Sequence, residues 1–176
     1  MSIPNLLTIL RILLVPVVVW AISQGQMGVA LGIFVFAGVT DAVDGYIAKR
    51  FNQQTELGAY LDPVADKTLI VSIYVSLAIF GFIPPWVVIL VVSRDFMIVG
   101  GVLLSTLLDK PLAIQPLFVS KANTVAQIVF AALVLAAQGL GLNLGVAIAL
   151  VMWTVAVLTL ASAGAYLVAW VRHMST

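Results

Sequence analysis

The sequence predicts an all-α polytopic membrane protein, a bundle of six transmembrane helices. Three observations carry that expectation. Of its 176 residues, 63% are hydrophobic and 9% charged, whereas soluble domains carry about 25% charged residues. Apolar runs of about 20 residues or more, enough to cross a bilayer, recur along the chain. Short breaks rich in Gly and Pro separate most of them. One such bundle uses the whole length, so residues 1–176 are expected to form a single membrane domain. No internal repeat or low-complexity segment interrupts it.

The helices are expected over about 5–24, 28–51, 56–81, 84–108, 117–138 and 143–171. The opening segment lacks a charged n-region and an A-x-A-like cleavage site, so the first apolar run is expected as a retained helix. The breaks near residues 26, 83 and 141 carry no charge, whereas those near 52 and 113 are flanked by Lys49, Arg50, Lys110 and Lys121. Arg172 lies at the C-terminal end. The positive-inside rule then places both termini and both basic breaks in the cytoplasm. Trp20, Trp86, Trp153 and Trp170 fall toward span ends and are read as interfacial anchors.

Several chemistries are excluded or disfavoured at once. There is no cysteine, so thiol catalysis, disulfides and zinc–thiolate sites are out. The single histidine, His173, lies near the C-terminal end, which argues against a histidine metal site or triad. Net charge is +1 with no basic tract, so nucleic acid is not an expected partner.

The polar residues are few and grouped. On the first helix, Asn5, Thr8 and Arg11 fall at i, i+3 and i+6, close to one face. Two readings stand: interfacial anchoring, with Arg11 snorkelling and Asn5 capping, or a face that contacts substrate. The break at 51–55 separates Asp41 and Asp44 from Asp62 and Asp66, four of the seven carboxylates. Each pair, three or four residues apart, shares a helix face. A hairpin folded about residue 53 brings Asp41 level with Asp66 and Asp44 level with Asp62, each pair about 15 Å from the turn. Converging carboxylates in an apolar bundle repel one another, and an all-oxygen set suits a hard cation such as Mg²⁺. Gly45, Ala48 and Gly58 beside them would let a helix or ligand approach closely. Asp62 precedes Pro63, so it has a second reading, as the cap of a helix starting at Pro63.

The fourth helix contains Ser93-Arg94-Asp95. A charge at membrane depth requires a partner or a polar cavity, so Arg94 reads either as half of a structural ion pair or as an anion-binding guanidinium. Lys121 opens the fifth helix, where Asn123, Thr124 and Gln127 extend a polar face on which it would line the same cavity. Alone, Lys121 reads as a topology or headgroup lysine. Carboxylates holding hard cations, with Lys and Arg nearby in a membrane, suit a lipid with a diphosphate headgroup. Two metals would neutralise the diphosphate, and a further carboxylate would take a proton from an attacking hydroxyl. A cation- or proton-coupled transporter is the reading from a different class, disfavoured by the lack of paired repeats.

The string Asp41-x-x-Asp44-Gly45-x-x-Ala48-Lys49, followed by Gly58-x-x-x-Asp62-x-x-x-Asp66, resembles the signature of the CDP-alcohol phosphatidyltransferases. Lys49 stands where that family has arginine, a departure that bears on its grip on phosphate. The resemblance implies a six-helix membrane core, Mg²⁺ (or Mn²⁺) at two sites and, commonly, a homodimer. Gly100 and Gly101 would permit such close packing. It further implies that Asp41, Asp44 and Asp62 hold one ion, that Asp41, Asp62 and Asp66 hold the other, and that Asp66 is the catalytic base. Asn5, Thr8, Gly45, Lys49, Thr55 and Gly58 would bind CDP-diacylglycerol. Within the family, Ser93-Arg94-Asp95 and the Ser120–Gln127 stretch look most like CMP-forming cardiolipin synthases, which implies phosphatidylglycerol as acceptor and Arg94, Lys121 and Asn123 as acceptor-binding residues. Phosphatidylglycerophosphate synthases, which use glycerol 3-phosphate, are the alternative; they tend to carry a second lysine where this chain has Asn123. The resemblance implies a bacterial inner-membrane enzyme working from the cytoplasmic side.

Overall fold

A computed structural model describes the backbone of residues 3–50, 56–107 and 118–174, and the side chains of 8–43, 65, 67–101 and 118–172. Six α-helices follow one another: α1 (Ile3–Ser23), α2 (Met27–Arg50), α3 (Glu56–Ile79), α4 (Pro85–Leu107), α5 (Phe118–Leu140) and α6 (Gly145–Met174). Each lies where the apolar runs place it, and no strand occurs among the described residues. The breaks expected at 51–55 and 109–116 lie outside the described residues.

The three uncharged breaks share a device. Gly25, Gly81 and Gly141 have φ of 70°, 79° and 65°, a left-handed conformation that ends a helix without a Cβ clash. At the first, Gln26 N–H donates to Ala21 C=O at 2.9 Å, and at the second, Phe82 N–H donates to Leu77 C=O at 2.8 Å. Carbonyls orphaned at the helix ends are thereby satisfied.

The helices form two compact units. The first comprises residues 1–83 and 131–144, the second 84–130 and 145–176. In the first, α1 packs against both α2 and α3. On α2 the buried stripe is Met27, Ala30, Phe34 and Ala37, and its spacing of three and four arrives next at Asp41. Val18, Ala21 and Ile22 of α1 and Leu69, Ile73 and Leu77 of α3 are buried in the same unit. Its second device is a backbone contact: a Cβ on Gly139 would lie 2.5 Å from Gly28 N.

In the second unit α4 packs against α6. A Cβ on Gly101 would sit 3.6 Å from the Trp170 ring, whereas Gly100 faces open space. Trp86 and Trp153 approach to 5.6 Å between ring centroids, tilted by 39°. Along α6, Val146, Leu150, Trp153, Val157 and Leu160 form an exposed stripe, while Thr159 and Ser162 are fully buried. Apolar groups outside and hydroxyls inside invert the pattern of a water-soluble helix and suit a lipid surrounding. Among the described residues, α5 and the stretch Gly145–Arg172 of α6 are long and apolar enough to cross a membrane.

Candidate functional site

Arg11 lies one turn beyond Thr8 on α1, and both are buried. Its guanidinium Nη2 donates to Asp41 Oδ1 at 2.8 Å; the Arg11 side chain is 1% exposed and that of Asp41 42%. The pair joins α1 to α2. A buried cation at membrane depth is costly alone and far less so beside a carboxylate. The interfacial reading of this face is therefore corrected for Thr8 and Arg11: Arg11 does not snorkel but points inward onto the first aspartate of the motif. The sequence carried the signal in the spacing of Thr8 and Arg11, but not the identity of the partner.

Asp41 is the member of the aspartate quartet whose side chain is described. Its exposed carboxylate fits the oxygen chemistry of a hard cation, since one oxygen accepts from Arg11 while the group as a whole remains accessible. The side chains of Asp44, Asp62 and Asp66 lie outside the described residues, as do those of Asn5, Lys49 and Thr55 and the surroundings of Gly45 and Gly58. The backbone does decide one point. Asp62 lies inside α3, which begins at Glu56 and continues unbroken past Pro63. The capping reading of Asp62 is therefore overturned: Pro63 is the eighth residue of the helix. It lacks an N–H, so the helix forgoes one i→i−4 hydrogen bond at that position.

In the second unit Arg94 is the node of a buried polar network. Its Nε and Nη2 donate to Ser162 Oγ on α6 at 3.1 and 2.6 Å. Nη2 also donates to Ser120 Oγ on α5, and Nη1 donates to Asp95 Oδ1 at 2.7 Å. The guanidinium carbon lies 5.8 Å from the Tyr166 ring centroid. Of the two readings of Arg94, the structural ion pair is present. A guanidinium has five N–H groups, and these bonds occupy all but one of them among the described residues.

Asn123 is fully buried. Its Oδ1 accepts from Thr159 Oγ1 at 3.0 Å, and its Nδ2 has no hydrogen-bond partner among the described residues. Gln127, one turn on, is buried beside it, but Lys121 is exposed. Two residues advance a helix by about 200°, so Lys121 and Asn123 look out on opposite sides. The expected common polar face running from Lys121 through Asn123 to Gln127 is corrected accordingly. Thr124 does not extend it either; its hydroxyl donates to Ser120 C=O at 3.2 Å. Lys121 instead borders an open groove of about 470 Å³ between α5 and α6.

Comparison with known families identifies the class of protein to which this helical arrangement and aspartate spacing belong. The family model for CDP-alcohol phosphatidyltransferase matches residues 1–164, and the chain belongs to that family. Among curated relatives, the cardiolipin synthases (CMP-forming) of Rattus norvegicus and Homo sapiens are each 38% identical over 152 residues, covering 77% of this chain and 50% of theirs. A probable phosphatidylglycerophosphate synthase of Mycobacterium tuberculosis is 40% identical over 100 residues, covering 53% of this chain and 48% of the relative. The chain thus spans about half the length of the curated relatives it matches.

Proposed function

We propose that the protein is a CMP-forming cardiolipin synthase, transferring a phosphatidyl group from CDP-diacylglycerol to phosphatidylglycerol. The observation that carries the reading is the aspartate quartet at family spacing on α2 and α3, whose first member is gripped by the buried Arg11. The relatives named as cardiolipin synthases, similar over 77% of the chain, support the choice of acceptor. All six helices cross the bacterial inner membrane, with both termini and the site on the cytoplasmic side, where the basic residues flanking the breaks collect. The protein works as a homodimer.

In this reading Asp41, Asp44, Asp62 and Asp66 hold two divalent ions, Mg²⁺ or Mn²⁺. Bound there, they would neutralise the diphosphate of CDP-diacylglycerol and the leaving phosphate of CMP. Asn5, Thr8, Gly45, Lys49, Thr55 and Gly58 bind and orient that substrate. Arg11 fixes the rotamer of Asp41, so the first ligand is set before substrate arrives. Asp66 takes the proton from the acceptor hydroxyl as its oxygen attacks the phosphorus bonded to diacylglycerol, and CMP leaves with the electron pair of the broken P–O bond. Lys121 and Asn123 serve the acceptor, and Arg94 holds together α4, α5 and α6, on which that side of the site is built. The open Asn123 Nδ2 offers a donor that a headgroup oxygen would satisfy.

The test is CMP and lipid product from purified protein given CDP-diacylglycerol, Mg²⁺ and either phosphatidylglycerol or glycerol 3-phosphate, with Asp66→Asn beside the wild type. Cardiolipin and CMP from phosphatidylglycerol alone, lost on substitution, are expected. Product from glycerol 3-phosphate alone would assign the chain to the phosphatidylglycerophosphate synthases, a second reading favoured by the 40% identical relative of that name. Absence of CMP with either alcohol would favour a transporter.

A further inference from the structure

The groove beside Lys121 has the dimensions and chemistry of an acyl-chain site. It runs along α5 from Phe118 past Val125 to Val129 and is closed on the α6 side by Val151 and Thr154. The one hydroxyl in that wall, Thr154 Oγ1, donates to Leu150 C=O within its own helix at 2.9 Å, so the wall is effectively apolar. Eleven residues of helix rise about 16 Å, close to half of the roughly 30 Å hydrocarbon core of a bilayer. The groove is therefore about one leaflet deep. Its volume of about 470 Å³ lies in the roughly 300–1,000 Å³ range of small-ligand sites.

Charge fixes the identity of the occupant. Lys121 stands at the N-terminal end of the groove and is exposed. Both walls belong to the two helices long and apolar enough to cross a membrane, so the groove opens toward lipid. An ammonium at one end of an apolar, leaflet-deep open groove favours a lipid with an anionic phosphate and a hydrocarbon tail. Arg94 is already bound to Asp95, Ser120 and Ser162, which leaves Lys121, among the described residues, as the cation open to such a phosphate on this side of α5.

We infer that the α5–α6 groove holds an acyl chain of the acceptor lipid, phosphatidylglycerol, with its phosphate at Lys121. This rests on the proposed acceptor and adds the feature that would distinguish it from glycerol 3-phosphate: a water-soluble acceptor has no chain to place there. Groove residues would then set acceptor preference without touching the reacting atoms.

The experiment uses the full chain in nanodiscs and phosphatidylglycerol carrying a photoactivatable diazirine in one acyl chain, with phosphatidylcholine bearing the same chain as the comparison. Labelling at Val125 and Val151 should be several-fold stronger with phosphatidylglycerol, and Lys121→Gln should remove the difference. Equal labelling by the two lipids would mark the groove as an ordinary lipid-facing surface and overturn the inference. A kinetic arm keeps it independent of labelling chemistry. Val125→Trp, or Val151→Trp should the first not fold, should raise KM for long-chain phosphatidylglycerol at least about tenfold and that for dihexanoyl phosphatidylglycerol far less. Val157→Trp, on the exposed stripe of α6, should change neither. Equal loss with both chain lengths would overturn the inference. Product formed only from glycerol 3-phosphate would instead remove the acceptor reading, and the labelling arm, which needs no turnover, would still decide the groove.

Discussion

Two buried arginines, one in each compact unit, are used in different ways. Arg11 reaches from α1 to an acid on α2 that is itself 42% exposed. Arg94 pairs with the next residue in its own helix and spends its remaining bonds on serines from α5 and α6. The first guanidinium is committed to a carboxylate of the motif and leaves that carboxylate accessible. The second is enclosed and holds three helices together. A buried charge thus leaves its partner available where that partner remains reachable, and is chiefly structural where most of its bonds are made inside the unit. The means of closure differ too: the first unit uses a glycine-to-glycine backbone contact, the second a polar network.

Substitutions should separate the two uses. The largest loss of stability is expected for Arg94→Met, about 3–5 kcal/mol, because the buried guanidinium's bonds to Ser162, Ser120 and Asp95, which tie three helices, are all lost. Thermal unfolding in detergent would measure it, and Arg94→Lys should recover only part, since an ammonium cannot reproduce the fork. Gly139→Ala comes next, at about 1–3 kcal/mol; the new methyl meets backbone rather than a side chain that can swing away. A variant as stable as wild type would mean that the α2–α5 contact is looser than the structure describes.

Asp41→Asn should cost about 2 kcal/mol, less than a fully enclosed pair because the carboxylate is partly exposed, yet it should abolish CMP release. The double variant Arg11→Met/Asp41→Asn should be more stable than Asp41→Asn alone, with a coupling of about 1–3 kcal/mol, and still inactive. Recovery of activity in the double variant would remove Asp41 from the proposed metal site. The smallest effect is expected for Thr159→Val, about 1 kcal/mol from one lost hydrogen bond to Asn123. A change above about 3 kcal/mol would mean that this bond supports a wider network.

Much of this was legible beforehand. The six helices were readable because a long apolar helix is announced by its own length and hydrophobicity, and its end by a glycine such as Gly25, Gly81 or Gly141. The direction of α6 was less so: Thr159 and Ser162 are isolated hydroxyls in an apolar run, and nothing local says that they face Asn123 and Arg94. The cap alternative for Asp62 arises because Pro63 is a helix-boundary signal, yet the helix that starts at Glu56 runs on through Pro63. Lys121 and Asn123 read as parts of one polar face because they are neighbours in sequence, although two residues are more than half a turn of helix apart.

The sequence by itself determined the elements, the spacing of the four aspartates and the family to which they belong, because each depends on residues near one another in the chain. Only the tertiary structure decided that Arg11 meets Asp41, that Arg94 is tied to Ser162, and that Lys121 borders a groove shared with α6. Those pairings join residues 30 to 68 positions apart, or helices separated by a turn. They depend on which helix docks beside which and at what rotation, a choice made by packing across the whole unit rather than by any local preference.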